Sequence, residues 1–431
     1  MQRRFEIGFK ISYLLFVLIS FNVFFARHWY ISYLSYVIVA LGIAVGVMRL
    51  IHVKNYLNAG VFLLLSFVCS YILGALNSFN YGYIDNVKAV VWMSIQFFLI
   101  FAFDKNGDYS TEKNALFITF ITYTFFCAVI ALYMLFTDWT LNVLMDDLYA
   151  IRGGVYSRLY GCYTDPNYGA VFAVVSIVLS VYYLVCAHSI KTIVKIFLII
   201  NCVLEFLFLY FSGSRTGMLS FFFAFIVFSL MVCVKNKRAT RNVFVGVGCL
   251  AILFFALIVF QSMLNKNGVV NVGGRSIDRI LDGSFFSDSR IGIWGNAMEL
   301  FKQHPVIGIS FRNIFEYANE NIPDTFCGYE SMHSFLFDVL VSQGIIGVVI
   351  ILLFFAWAVK MLIEKYKGIS SYKEFVFMMT ILVAIFVSML TYSETFYMNT
   401  GGAFMFWYVL GYLVNYKEEE TFEKSVNAEL L

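Results

Sequence analysis

The chain has 431 residues, of which 61% are hydrophobic and only 13% charged, with a formal net charge of +3. A soluble domain of that size would have to expose large apolar patches, so the composition excludes a soluble enzyme and indicates an integral membrane protein. The small net charge averages over two separated faces and calls for no nucleic-acid partner.

A spanning helix needs about 20 mostly apolar residues. About twelve stretches qualify, at 11–25, 30–48, 57–76, 89–103, 115–136, 169–187, 193–211, 217–234, 243–261, 334–359, 375–391 and 402–415. Several are rich in Phe and Tyr, but they are unbroken rather than alternating, which favours helices over a barrel. The expected fold is therefore all-α: a polytopic bundle of about 12 transmembrane helices forming a single integral membrane domain over 1–431. Arg3-Arg4 ahead of the first run resembles the start of a signal peptide. The run is long and no small-x-small cleavage site follows, so it reads as a retained helix.

Short cytoplasmic loops collect Lys and Arg. That rule assigns Arg3, Arg4, Lys10, Arg49, Lys54, Lys105, Lys113, Lys191, Lys195, Lys235 and the basic residues of 237–241, 360–373 and 417–424 to the inner side. Arg27, Lys88, Arg152, Arg158 and Arg215 fall in short outer loops, and Lys266, Arg275, Arg279, Arg290, Lys302 and Arg312 in a long one. Both termini are then cytoplasmic, and residues 417–431 form a charged cytoplasmic tail.

Two loops are long, 137–168 and 262–333, both on the outer side. Within the second, Ile291, Trp294, Met298 and Phe301 recur at helical spacing, with Asn296, Glu299 and Gln303 opposite. This predicts an amphipathic extracytoplasmic helix ended by His304-Pro305. Such a helix either roofs a cavity between helix ends or merely packs on the bundle. Six of the eight cysteines lie in or beside spans as small core residues. Cys162 and Cys327 both face outward, either as a disulfide or as separate thiols.

Arg215, in Ser212-Gly213-Ser214-Arg215-Thr216-Gly217, is the leading candidate for chemistry. A guanidinium is a permanently charged fork for phosphate oxygens, and the flanking glycines let backbone approach a bulky group. The plainer reading is an interfacial arginine reaching lipid headgroups. His333, just before an apolar span, is placed either to accept a proton from a hydroxyl or to cap the helix. Arg290 and Arg158 are further candidate anion contacts. Thr164-Asp165-Pro166-Asn167 has the composition of a turn or helix start, in which Asp165 would orient a substrate hydroxyl or an arginine, or simply cap the helix, and Asn167 is a further candidate substrate contact. Asp338 and Glu205 sit inside apolar runs, where a bare carboxylate costs several kcal/mol and calls for partners or water. Asp338, five residues after His333, would line the same cavity. The chain has no nucleotide-binding loop and no zinc spacing, and the adjacent Asp146-Asp147 pair suits solvation better than a metal. No metal and no cofactor is expected.

In these pieces the chain resembles the O-antigen ligase and polymerase superfamily. They are Gly161 with Asp165-Pro166-Asn167, then Ser214-Arg215-Thr216-Gly217, Arg290 followed by Trp294, His304-Pro305 with Gly308, and His333-Ser334 with Gly344 and Gly347. Their order is the family's. The resemblance implies a GT-C-like multispan glycosyltransferase of the bacterial cytoplasmic membrane, metal-independent and inverting. It would act on the outer side on undecaprenyl-diphosphate-linked oligosaccharide, either as a Wzy-type polymerase of surface polysaccharide or as an O-antigen ligase.

By that resemblance Arg215 and Arg290 contact the donor diphosphate and His333 assists the acceptor. Ser214, Arg158, Asp165, Asn167 and Asp338 complete the expected substrate-binding set. Membrane lipids, a chain-length regulator and a flippase of the same pathway are the expected partners. The rival from another class is a transporter or flippase, since twelve helices also suit two repeated halves. Against it, no internal repeat is visible and the polar residues gather on one face.

Overall fold

A computed structural model describes residues 2–137, 144–145, 148–149, 154–155, 158–235, 288–321, 332–391 and 396–416, except positions 27, 106, 188–189 and 370–371. The expected span at 243–261, Cys327, Asp146-Asp147 and the tail 417–431 lie outside the described residues. The helices are α1 Gln2–Ser20, α2 Trp29–Leu50, α3 Val53–Tyr56, α4 Ala59–Asn77 and α5 Tyr83–Ile95, which continues as a π-helical turn Gln96–Phe101. After these come α6 Ser110–Phe136, α7 Pro166–Cys186, α8 Thr192–Phe211 and α9 Arg215–Lys235. The last five are α10 Asp288–Gln303, α11 Ile314–Asn321, α12 Phe335–Gly368, α13 Tyr372–Thr391 and α14 Gly401–Val414. Two ladders, each of two residues per strand, sit between α6 and α7.

The protein is an all-α polytopic membrane protein. Among the described residues nine helices are long and apolar enough to cross a membrane: α2, α4, α5 with its π turn, α6, α7, α8, α9, α12 and α13. Two of the twelve expected spans differ in kind. α14 is short and buried along its whole length. α1 starts nine residues before the apolar run because its polar residues are paired inside the bundle. Glu6 meets Arg49 of α2 at 3.2 Å, and Lys10 meets Glu112 of α6 at 2.6 Å.

These pairs correct the reading of Lys10, Arg49 and Lys113 as loop charges. All three are buried. Arg49 also donates to the carbonyls of Phe98 and Ala102, at 2.7 and 3.0 Å, where the π turn leaves acceptors unused. Lys113 of α6 pairs with Glu374 of α13, whose carboxylate also accepts from Tyr412 of α14 at 2.8 Å. One end of the bundle is therefore basic and tied by buried ion pairs, each charge neutralised where desolvation would otherwise be costly.

The opposite end gathers the C-terminal ends of α1, α4, α6, α8 and α13 with the N-terminal ends of α5, α7, α9 and α12. The chain after α1 pairs with the segment before α7, through Val23 N to Cys162 O at 2.8 Å and Thr164 N to Phe21 O at 3.0 Å. Phe136 at the end of α6 packs edge-on against Phe211 at the end of α8. Cys162 is a free buried thiol beside Cys127 of α6.

A break in α12 fixes the rest of this end. At Gly344 the backbone leaves helical geometry, with φ 61° and ψ −158°. An open break at membrane depth would strand polar backbone groups in an apolar medium. The segment 305–310 fills it. Ile309 N and Ser310 N donate to the carbonyls of Val341 and Ser342 at 3.1 and 2.8 Å, and Ile345 N and Ile346 N donate to those of Pro305 and Val306 at 2.9 and 3.3 Å. The two pieces approach too closely for side chains. A Cβ on Gly344 would lie 2.4 Å from the Val306 carbonyl, and one on Gly308 2.4 Å from the Ser342 carbonyl carbon.

Candidate functional site

The first half of the site is built where α7, α8 and α9 meet. Asp165 caps α7, its carboxylate accepting from Asn167 N at 2.6 Å, with Pro166 in the first turn. Asn167 then faces across to the α8–α9 turn. Its Oδ1 accepts from Arg158 Nη2 at 2.9 Å and from Ser214 Oγ at 2.8 Å. Arg158 Nε also donates to Ser212 O at 3.0 Å, placing a cation on the carbonyl end of α8, where the helix dipole favours it.

Ser214 is wholly buried and caps α9, its Oγ accepting from Gly217 N at 3.1 Å. The glycines around Arg215 shape the turn and the helix packing. Gly213 takes φ 59° to turn the chain between α8 and α9. Gly217 lets α9 close onto α7, because a Cβ there would meet Ala170 Cβ at 2.5 Å.

Arg215 follows the cap as the first residue of α9 and is partly exposed. A helix N-terminus already carries partial positive charge, so a cation placed there adds to the field rather than offsetting it. The combination favours an anion at this spot.

The second half is the turn into α12. His333 sits just before Ser334, the N-cap, with φ 50°, a left-handed conformation uncommon for a side-chain-bearing residue. The residue ahead of it is clamped at both backbone groups. Met332 N donates to Asp338 Oδ1 at 2.9 Å, and Met332 O accepts from Trp294 Nε1 at 3.0 Å. The Trp294 ring also stacks on Phe337, with centroids 5.1 Å apart. Asp338, buried in the first turn of α12, thus reaches back to hold the turn that carries His333.

Trp294 stands four residues after Arg290 on α10. Arg290 belongs to the first turn of that helix, and its side chain lies outside the described residues. The buried stripe of α10 is Ile293, Ala297 and Leu300, whereas Met298 is exposed. The expected helix is present, but its inner face is turned by about one residue relative to the predicted stripe.

α13 joins the halves. Thr391 in its last turn lies 3.1 Å from Thr216 of α9 through their hydroxyls, while Phe386 packs against Phe335 at the start of α12. Arg158, Asp165, Asn167, Ser214, Arg215, His333 and Asp338 therefore all stand at one end of the bundle, away from the buried ion pairs.

Residues 200–352 match the O-antigen ligase family. The matched region covers about a third of the chain, from α8 through the first half of α12, and contains Arg215, Arg290, His333 and Asp338. It supports a function of the O-antigen ligase/polymerase type, in a family of glycosyltransferase-like enzymes whose substrates are lipid-linked oligosaccharides. No curated protein matches the chain. The O-antigen ligase region ends just beyond the break in α12, so it takes in both sides of the Gly308–Gly344 interlock.

Arg158, Asp165 and Asn167 precede the O-antigen ligase region. They enter the site through the contact of Asn167 with Ser214. Trp294 was visible in the sequence as an apolar face residue and as the tryptophan that follows Arg290 in the resemblance, with no role assigned to it. The available signal was its indole N–H, which needs an acceptor when partly buried. Thr391 gave no signal.

Proposed function

We propose that the protein is a surface-polysaccharide polymerase of the bacterial cytoplasmic membrane. It transfers glycan from undecaprenyl diphosphate to a sugar hydroxyl of a lipid-linked repeat unit on the extracytoplasmic side. The observation that carries this reading is the placement of Arg215 at the N-terminus of α9 and of His333 on a clamped turn at the same end of the bundle.

In this reading Arg215, with Arg290 and Arg158, neutralises the charge that develops on the diphosphate as its bond to the anomeric carbon breaks. The acceptor oxygen attacks the opposite face of that carbon, forming the new glycosidic bond with inversion. Its proton passes to His333. The diphosphate is already a good leaving group, so positioned arginines supply the stabilisation with no metal and no cofactor. The basic end faces the cytoplasm, both termini included, by the charge rule for short loops. Residues 262–333 form the long outer loop. A chain-length regulator and the pathway's flippase are the proposed partners.

The test is purified enzyme incubated with its lipid-diphosphate repeat unit in chelator, with products resolved on a gel. Wild-type enzyme is expected to make polymer, and Arg215→Ala and His333→Ala to make none while inserting and melting normally. Full-length polymer from either well-folded variant sinks the assignment. The ligase is the second reading, favoured by the description of the matched family. Transfer to a lipid A core acceptor, with no lengthening of the repeat, would select it.

A further inference from the structure

A second polar cluster lies inside the bundle, away from the donor and acceptor residues. Glu205 of α8 is buried, and so are Asn201 one turn earlier, Ser176 and Ser180 of α7, and Thr124 of α6. Asn201 Nδ2 donates to Ser176 Oγ and to Ser180 Oγ, both at 2.9 Å. Both amide hydrogens are thereby used, which fixes the orientation of the amide. Thr124 Oγ1 donates to Ser176 Oγ at 2.7 Å. Ser176 and Thr124 also stand within electrostatic reach of the Glu205 carboxylate.

Two oxygens in this cluster have no partner, Asn201 Oδ1 and Glu205 Oε1. They belong to residues four apart on one helix, hence on the same face. No ion pair among the described residues includes Glu205. The site therefore offers the Glu205 carboxylate, the Asn201 amide carbonyl and the hydroxyl oxygens of Thr124 and Ser180, drawn from three helices, deep in the apolar bundle, with Ser176 Oγ already accepting from Asn201 and Thr124. Hard oxygen donors in that number suit a small hard cation, and one negative charge balances one positive charge.

We propose that Glu205, Asn201, Ser180 and Thr124, braced by Ser176, form a binding site for one monovalent cation of sodium size, which ties α6, α7 and α8 together around the middle of α7. A water molecule would satisfy the two acceptors but leave the charge uncompensated. A proton on Glu205 would remove the charge without calling on so many oxygens.

The test is the melting temperature of the full chain in detergent at constant ionic strength, with sodium, potassium or choline as the chloride salt. Sodium is expected to raise the melting temperature saturably by several degrees over choline, and radioactive sodium to bind at about one per chain. Glu205→Gln, which keeps the shape and removes the charge, is expected to abolish both effects, and Asn201→Ala to weaken them. Equal melting in all three salts would show a protonated carboxyl or a water instead, and would overturn the proposal. So would a sodium response that survives in Glu205→Gln. Neither readout involves glycan transfer, so the outcome does not depend on the proposed function.

Discussion

Gly344→Ala tests whether the broken helix holds the two halves of the site in register. At φ 61° and ψ −158° the residue occupies a region that is essentially restricted to glycine, and forcing a side chain into it costs about 1–3 kcal/mol. The new Cβ would also fall 2.4 Å from both the carbonyl carbon and oxygen of Val306, and 2.8 Å from Ile307 N. Those are backbone atoms, so no rotamer change relieves the overlap and residues 305–310 must move. Four backbone hydrogen bonds join the two pieces, each worth about 1 kcal/mol net and more where water cannot replace it. Strain and partial undocking together should cost about 2–5 kcal/mol.

Hydrogen exchange on the full-length protein reads this directly. Protection should fall at the amides of Ile309, Ser310, Ile345 and Ile346, and the melting temperature should drop. Gly292→Ala and Gly295→Ala in α10 are the controls. A Cβ meets nothing within 4 Å at either position, and alanine is the better helix former by about 1 kcal/mol. Wild-type protection in Gly344→Ala would refute the interlock as the element that seats α10 against α12.

Other outcomes follow from the same contacts. Trp294→Phe keeps the stack on Phe337 but removes the hydrogen bond to Met332 O. A loss of about 1 kcal/mol in stability should accompany a fall in kcat with KM little changed, because the turn carrying His333 is loosened while donor contacts remain. Unchanged kcat would show that the clamp does not position His333. Ser214→Ala and Asn167→Ala should each cost about 1 kcal/mol in melting experiments. Their effects should add to less than the sum in the double variant, because both remove the same 2.8 Å bond. Strict additivity would count against the shared contact.

His304 gives a pH dependence. Its Nε2 pairs with Tyr317 Oη at 2.9 Å, and its Nδ1 lies 3.3 Å from Asn77 Nδ2, whose hydrogens go to that nitrogen and to Gly308 O. That pattern suits neutral imidazole with its proton on Nε2, and burial lowers the pKa. The undocked imidazole takes up its proton first, near pH 6.5. Docking stability is therefore complete above that value, and it falls as the pH drops from there towards the lower docked pKa. Exchange of α10 and α11 amides, corrected for intrinsic rates, should accelerate between pH 7.5 and 5.5. A flat profile would contradict the tautomer.

Much of the fold was legible in the sequence because unbroken apolar runs have few solutions in a membrane. The runs located all nine of the described helices that are long and apolar enough to cross a membrane. Site candidates were legible where a residue type carried its own chemistry, as with Arg215 and His333. Their roles remain proposals. What sequence pattern misjudged was charge near helix ends. Lys10, Arg49 and Lys113 read as loop residues because their partners, Glu112, Glu6 and Glu374, are up to 261 positions away.

Hydropathy and composition, which depend on each residue's own transfer energy, by themselves determined that this chain is a helical membrane protein with polar elaboration between its later spans. Only the tertiary structure decided which of those polar residues meet. Asn167 joins Arg158 to Ser214, and Asp338 and Trp294 clamp the turn before His333. A glycine break in α12 is filled by a segment more than thirty residues earlier in the chain. Such contacts are fixed by the shape of the assembled bundle and the need to satisfy every buried donor and acceptor, and neither is a property of any local stretch.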